Sequence, residues 1–128
     1  MTDRDSPFLR IPESDWVASN DLAFAVRDAF PVTEGHTLVI PRRLAVDWGD
    51  VTTQERLAIL ALVDEVKSQL RYELHPDGFN LGINEGTAAG QTVFHLHVHV
   101  IPRFSGDVPD PRGGIRHAVM NKGNWQTL

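Results

Sequence analysis

Three histidines recur at every second position in Phe94-His95-Leu96-His97-Val98-His99-Val100-Ile101-Pro102. Imidazole is the side chain that serves near neutral pH as nucleophile, general base or metal ligand. In an extended chain successive side chains point to opposite faces, so His95, His97 and His99 would form one row and Phe94, Leu96, Val98 and Val100 the other. The register is well specified, because a one-residue slip would bury the imidazoles and expose the hydrophobes. Three uses of such a row are open. Two histidines two apart can share a metal ion, but the whole row spans roughly 13 Å and the strand carries no carboxylate or fourth ligand. One imidazole can instead attack an electrophile while its neighbours orient and protonate groups around it. Or the three can fill a partly wet face for structural reasons.

The elements that must position this row follow from pattern. Leu22–Val26 and His36–Pro41 read as strands forming an antiparallel pair, the second ended by a proline that cannot donate to a ladder. Thr52-Thr53-Gln54-Glu55 is a capping-box signature opening a long helix, Thr53 to Leu74. Its apolar stripe reads Leu57, Leu60, Val63, Val66 or Lys67, and Leu70, widened by Ile59 and Leu62. His75-Pro76-Asp77-Gly78 closes the helix. Phe79–Asn84 reads as a third strand, and the glycine-bearing turn Glu85–Gly90 returns the chain into the histidine strand as a hairpin. The spacing of Gly82, Gly86 and Gly90 fits neither a Walker loop nor the dinucleotide fingerprint. Residues 105–114 are turn-rich, and Ile115–Leu128 has room for a short final strand, with Trp125 near its end.

Composition limits the function classes. With 128 residues and 41% apolar content, the chain suffices for one domain with a core of its own. We read residues 1–128 as that domain, its core about 6–104 and an irregular tail over 105–128. A net charge of −5 argues against binding nucleic acid through a basic surface. With no cysteine there is neither a disulfide nor a thiolate metal site. The polar N-terminus and the lack of a long apolar run point to a cytoplasmic protein without membrane contact.

The stretch Gly90–Arg103, taken with Asn84-Glu85-Gly86 upstream and with Asp28 through Pro41, resembles the signature of the histidine triad (HIT) superfamily. Gly35-His36-Thr37-Leu38-Val39-Ile40-Pro41 is typical of that family, and the likeness extends over roughly residues 6 to 104. Gln91-Thr92-Val93 before the triad and Gly106-Asp107 after it look like the dinucleoside-polyphosphate-cleaving branch; the nucleoside-phosphoramidase branch stays beside it as an alternative. The resemblance implies an α+β fold: an antiparallel sheet of about five strands, one long helix and a shorter one, with the sheet continued across a homodimer.

It further implies an enzyme that binds a nucleotide substrate, cleaves at the α-phosphate through a nucleotidyl-histidine intermediate and releases a nucleoside monophosphate. A nucleotide-binding regulatory protein with incidental turnover is the alternative. By resemblance His97 is the nucleophile, His99 contacts the phosphate oxygens, and His95 orients His97 and fixes its tautomer. His36 buttresses the row, Gln91 and Thr92 hydrogen-bond the phosphate or leaving group, and Asn84 helps place the nucleotide. Asp28 accepts from the ribose hydroxyls, while Phe8, Ile11 and Val26 line the base pocket. For Arg103 and Trp125 contact with the leaving group is one reading, and a structural role is preferred for each. No cofactor is required for the chemistry, although Mg2+ can accompany a polyphosphate. Members with a structural zinc carry paired cysteines where this chain has Ser6-Pro7-Phe8-Leu9, and a histidine where it has Leu44, so no metal is expected.

Overall fold

The computed structural model describes residues 6–120, 122 and 123. Five strands, β1 (Ala18–Ser19), β2 (Ala23–Arg27), β3 (Thr37–Pro41), β4 (Gly78–Gly82) and β5 (Val98–Arg103), form one sheet in the order β1-β2-β3-β5-β4. Every pairing is antiparallel. The expected β2–β3 pair is present, with Val26 opposite Leu38 and Phe24 opposite Ile40. β3 lies in the middle of the sheet and is buried along its whole length, which explains its unbroken apolar run.

One α-helix, α1 (Thr53–Leu74), packs on the sheet. Its start is a reciprocal capping box: the Glu55 N–H donates to Thr52 Oγ1 at 3.1 Å and the Thr52 N–H to Glu55 Oε1 at 2.9 Å. Arg43 donates to the same carboxylate, from Nε at 3.1 Å and Nη2 at 2.8 Å, and this pairing holds the Glu55 pKa below its ordinary value. His75, at φ 52°, ends the helix in the left-handed region, its N–H bonded to the Arg71 carbonyl. The buried face is Ile59, Leu62, Val63, Val66 and Leu70, whereas Leu57 and Leu60 from the expected stripe are exposed. Leucines sit on both sides of the first turns of the helix, and only contact with the sheet separates the buried ones from the exposed.

Strand alternation gives the sheet two different faces. Ala23, Ala25, Val39, Val98 and Val100 pack beneath α1. Phe24, Val26, Leu38 and Ile40 face the other way, under Phe8, Ile11 and Trp16. His99 sits between Val98 and Val100 and is paired with Leu38, so it belongs to this second face.

Four expectations are corrected. The histidine strand begins at Val98, not Phe94: its ladder to β3 stops at the Val39–Val98 pair although β3 runs on to Pro41, β4 ends at Gly82 opposite His99, and the Leu96 N–H donates to the Ala45 carbonyl at 2.7 Å. β4 and β5 are antiparallel neighbours, but β4 ends at Gly82, and a 15-residue connection holding only a 3-10 turn, Thr87–Ala89, replaces the short hairpin turn. No second α-helix forms among the described residues; the remaining helical pieces are 3-10 turns of three to five residues. Among the described residues after 114 no final strand forms; Gly114–Ala118 is such a turn, with Ile115 over Gly82. Trp125 lies outside the described residues.

Candidate active site

Each of the four clustered imidazoles is held at one or both ring nitrogens, and the partners fix where the protons sit. The Nδ1 of His97 lies 2.8 Å from the His95 carbonyl oxygen. A carbonyl only accepts, so His97 carries its proton on Nδ1 and leaves the Nε2 lone pair free. At the other end, the Val32 N–H donates to His36 Nδ1 at 3.2 Å. Neutral His36 therefore carries its proton on Nε2, which donates to His99 Nδ1 at 2.9 Å. That leaves His99 with an Nε2–H. One ring thus presents a lone pair and its neighbour a donor, their centroids 5.1 Å apart and nearly edge to face.

His95 does not join the row. It is fully buried, with Nε2–H donating to the Pro41 carbonyl at 2.8 Å and Nδ1 accepting from Ser6 Oγ at 2.6 Å. The expected orienting of His97 does come from residue 95, but through its main-chain carbonyl rather than its ring.

Burial sets the charge state. His99 is pushed down to about 4, by desolvation first and then by His97 and His36, so it is neutral at physiological pH. His36 is lowered as well, again by desolvation, against an opposing pull from Asp28. Asp28 divides its carboxylate: Oδ1 accepts the Phe30 N–H at 2.8 Å and Oδ2 stands 3.5 Å from His36 Nε2. One oxygen thus caps the turn at Phe30 and leaves the second on the histidine side.

Asp28, His36 and His99 bring three ligand-type atoms within 4.8 Å of one another. The hydrogen bonding does not suit a divalent ion. Ligation through His36 Nε2 would move its proton to Nδ1, against the Val32 N–H, and metal-bound histidines need an acceptor there.

The remaining expected residues divide. Phe8 stands edge-on to His97, with ring centroids 5.1 Å apart, and tilted against His95 at 5.7 Å. Ile11 and Val26 lie in the same apolar cluster. Asn84 is exposed and lines, with His36, His99 and Gly90, a cleft of about 870 Å³ running towards Ile115 and Val119. Gly82, cross-strand partner of His99, adds no side chain to that opening. Thr92 is exposed.

Gln91 corrects its expectation. It is buried, accepts the Gly86 N–H at 2.9 Å, and donates to the carbonyls of Val46 at 2.9 Å and Val93 at 3.2 Å. Its amide ties loops together and has no free donor for a phosphate. Arg103 is structural as read, bonded to Asn80 and Asp107. Two functional groups went unseen in the sequence, the Ser6 hydroxyl and the Val32 N–H, since neither residue type marks such a role.

Gly35 explains how His36 reaches its place. At φ 88° it is in the left-handed region, and a Cβ there would stand 2.7 Å from Leu74 Cδ1 and 2.9 Å from Leu70 Cδ2.

An antiparallel α+β sheet with imidazoles of fixed tautomer on its helix-free face defines a protein built around a histidine cluster. The HIT domain family profile matches residues 11–106, and the chain belongs to the HIT family. It is 46% identical over 88 residues to an uncharacterized 16.1 kDa HIT-like protein of Mycoplasma pneumoniae, covering 69% of this chain and 61% of that one. It is 38% identical over 107 residues to the AP-4-A phosphorylase of Mycobacterium tuberculosis, covering 79% and 55%. A crystal structure of a HIT family protein from Bacillus anthracis superposes with a TM-score of 0.76 at 35% identity, over 84% of this chain and 78% of that one. The chain spans less than two thirds of the length of the first curated relatives it matches, between 55% and 62%. Among the described residues no helix is long and apolar enough to cross a membrane.

Proposed function

We infer that this chain is a nucleotide hydrolase or transferase that acts at an α-phosphate through His97. The observation that carries the reading is the Nδ1–H bond of His97 to the His95 carbonyl. It directs an unprotonated Nε2 away from its anchor, beside the Nε2–H of a neutral His99. In the first step a bond forms between His97 Nε2 and phosphorus as the bond to the leaving group breaks. In the second, water attacks phosphorus, the N–P bond breaks and a nucleoside monophosphate departs with His97 restored. His99 donates to a non-bridging oxygen, where charge builds up in both steps. Phe8, Ile11 and Val26 take the base, the outer oxygen of Asp28 meets the ribose hydroxyls, and Asn84 and Thr92 hydrogen-bond the phosphate or leaving group. Mg2+ enters only as the companion of a polyphosphate.

The substrate is a nucleoside polyphosphate, such as a diadenosine polyphosphate, or a phosphoramidate. The reading also includes a homodimer, supported by β4, an edge strand with half-exposed residues along it. The deciding experiment measures AMP release from adenosine 5′-phosphoramidate, with chelator present, and separately from diadenosine polyphosphates. Chelator-resistant release lost in His97→Ala supports the mechanism. Tight AMP binding with no turnover of either compound overturns it in favour of a nucleotide-binding regulator.

A further inference from the structure

Ser6 is completely buried, although Pro7 and Leu9 beside it are exposed. A buried hydroxyl must be matched, and this one lies 2.6 Å from His95 Nδ1. The other nitrogen of that ring is already committed, since Nε2–H donates to the Pro41 carbonyl. Nδ1 is therefore the unprotonated nitrogen and accepts the Ser6 proton. The ring is pinned at both ends, between the N-terminal segment and the end of β3. Two connections lead from this pin to the same ring, that of His97. The carbonyl of His95 holds the Nδ1–H of His97. The 3-10 turn that begins one residue after Ser6, Pro7–Arg10, carries Phe8 against the edge of the His97 ring.

We propose that Ser6 is a positioning residue for His97: its hydroxyl locks the His95 ring and thereby the carbonyl that fixes the His97 tautomer. The proposal rests on His97 being the nucleophile, but its geometry does not depend on which substrate is used. The hydroxyl matters for its proton as well as its volume, because His95 is fully buried and its Nδ1 accepts from Ser6. Without the donor, the ring loses the contact that Ser6 makes with Nδ1 and is no longer held at that end. The His95 ring then keeps one of its two anchors, and its carbonyl is held less firmly. His97 is then free to place its proton on Nε2, which removes the nucleophilic lone pair.

The test is a series at position 6, read in two ways. Ser6→Ala removes the donor, Ser6→Cys fills the space with a weak donor, and Ser6→Thr keeps the hydroxyl. In steady-state hydrolysis of adenosine 5′-phosphoramidate, Ser6→Ala should lower kcat about tenfold, Ser6→Cys less, and Ser6→Thr should recover most of the loss. A Ser6 that merely fastened the N-terminal segment would raise KM through Phe8 and leave kcat unchanged, and that split overturns the proposal.

The second readout is the imidazole nitrogen spectrum of the folded proteins. Wild type should show His97 protonated at Nδ1 alone, and Ser6→Ala or Ser6→Cys a mixture with the Nε2–H form. An unchanged His97 tautomer in a folded variant also overturns the proposal. If wild type releases no AMP, the enzymatic reading fails while the spectra still decide the role of Ser6. If Ser6→Ala does not fold, the Ser6→Cys and Ser6→Thr pair carries both readouts.

Discussion

His36 hands its Nε2–H to His99 Nδ1 over 2.9 Å, and it can do so only because the Val32 amide occupies its other nitrogen. A main-chain N–H in the loop before β3 thus decides which nitrogen of His99 carries the proton. His36→Ala should lower kcat by about 5- to 150-fold, the equivalent of losing one buried hydrogen bond worth about 1–3 kcal/mol. His36→Gln, which keeps a donor towards His99, should recover part of it. Steady-state rates of the two variants check this, and equal losses would dismiss the donor role.

The lowered pKa of His99 makes stability depend on pH in a stated direction. Its folded value is about 4 against an ordinary 6.5, so between these limits the unfolded chain binds a proton that the folded chain does not. Unfolding free energy therefore falls as pH drops from about 6.5 towards 4, and is flat above that window as far as this group is concerned. His36 is lowered too and adds in the same sense. From pH 7 to 5 the His99 share is about 1 kcal/mol after allowance for solvent screening. Urea midpoints at the two pH values, compared between wild type and His99→Gln, measure it. Identical pH slopes in both proteins would show that His99 does not carry the effect.

Much of this was legible in the sequence, and the failures have physical causes. The period-2 spacing brought the rings of His97 and His99 together, although only His99 lies within β5, where β3 is the ladder partner and α1 covers the other side. His95 lay beyond the reach of that argument: the strand had already ended, and a side chain there is governed by whatever covers it. The cap at Thr52 and Glu55 was visible because capping is local, whereas the exposure of Leu57 and Leu60 was not, since the rotation of a helix is set by the sheet it meets. Tautomers were invisible altogether. They depend on carbonyls and amides, which every residue has and no sequence displays.

Phe8 tests the base wall. The ring packs against His97 and belongs to the cluster with Val26 and Leu38. Phe8→Ala should raise KM for adenosine 5′-phosphoramidate about tenfold while changing kcat much less. Truncating a half-buried aromatic at a binding surface costs about 1–2 kcal/mol. Phe8→Leu should lie between. A fall in kcat with KM unchanged would mean that the ring positions His97 instead of holding the substrate.

Gln91 and Thr92 are neighbours with opposite expected phenotypes. The Gln91 amide joins Gly86, Val46 and Val93, so its loss leaves three main-chain groups of two loops to find other partners. With about 1–3 kcal/mol for buried groups left unmatched, Gln91→Ala should lower Tm by about 5–10 °C. Thr92 is exposed, and Thr92→Ala should leave Tm within about 1–2 °C of wild type, as surface substitutions usually do. It should still reduce kcat/KM if its hydroxyl meets the phosphate. Thermal melts and rates on the two variants separate the cases. Should Gln91→Ala melt like wild type yet lose activity, its amide must leave the loop carbonyls when substrate binds, and the structural assignment of Gln91 would be wrong.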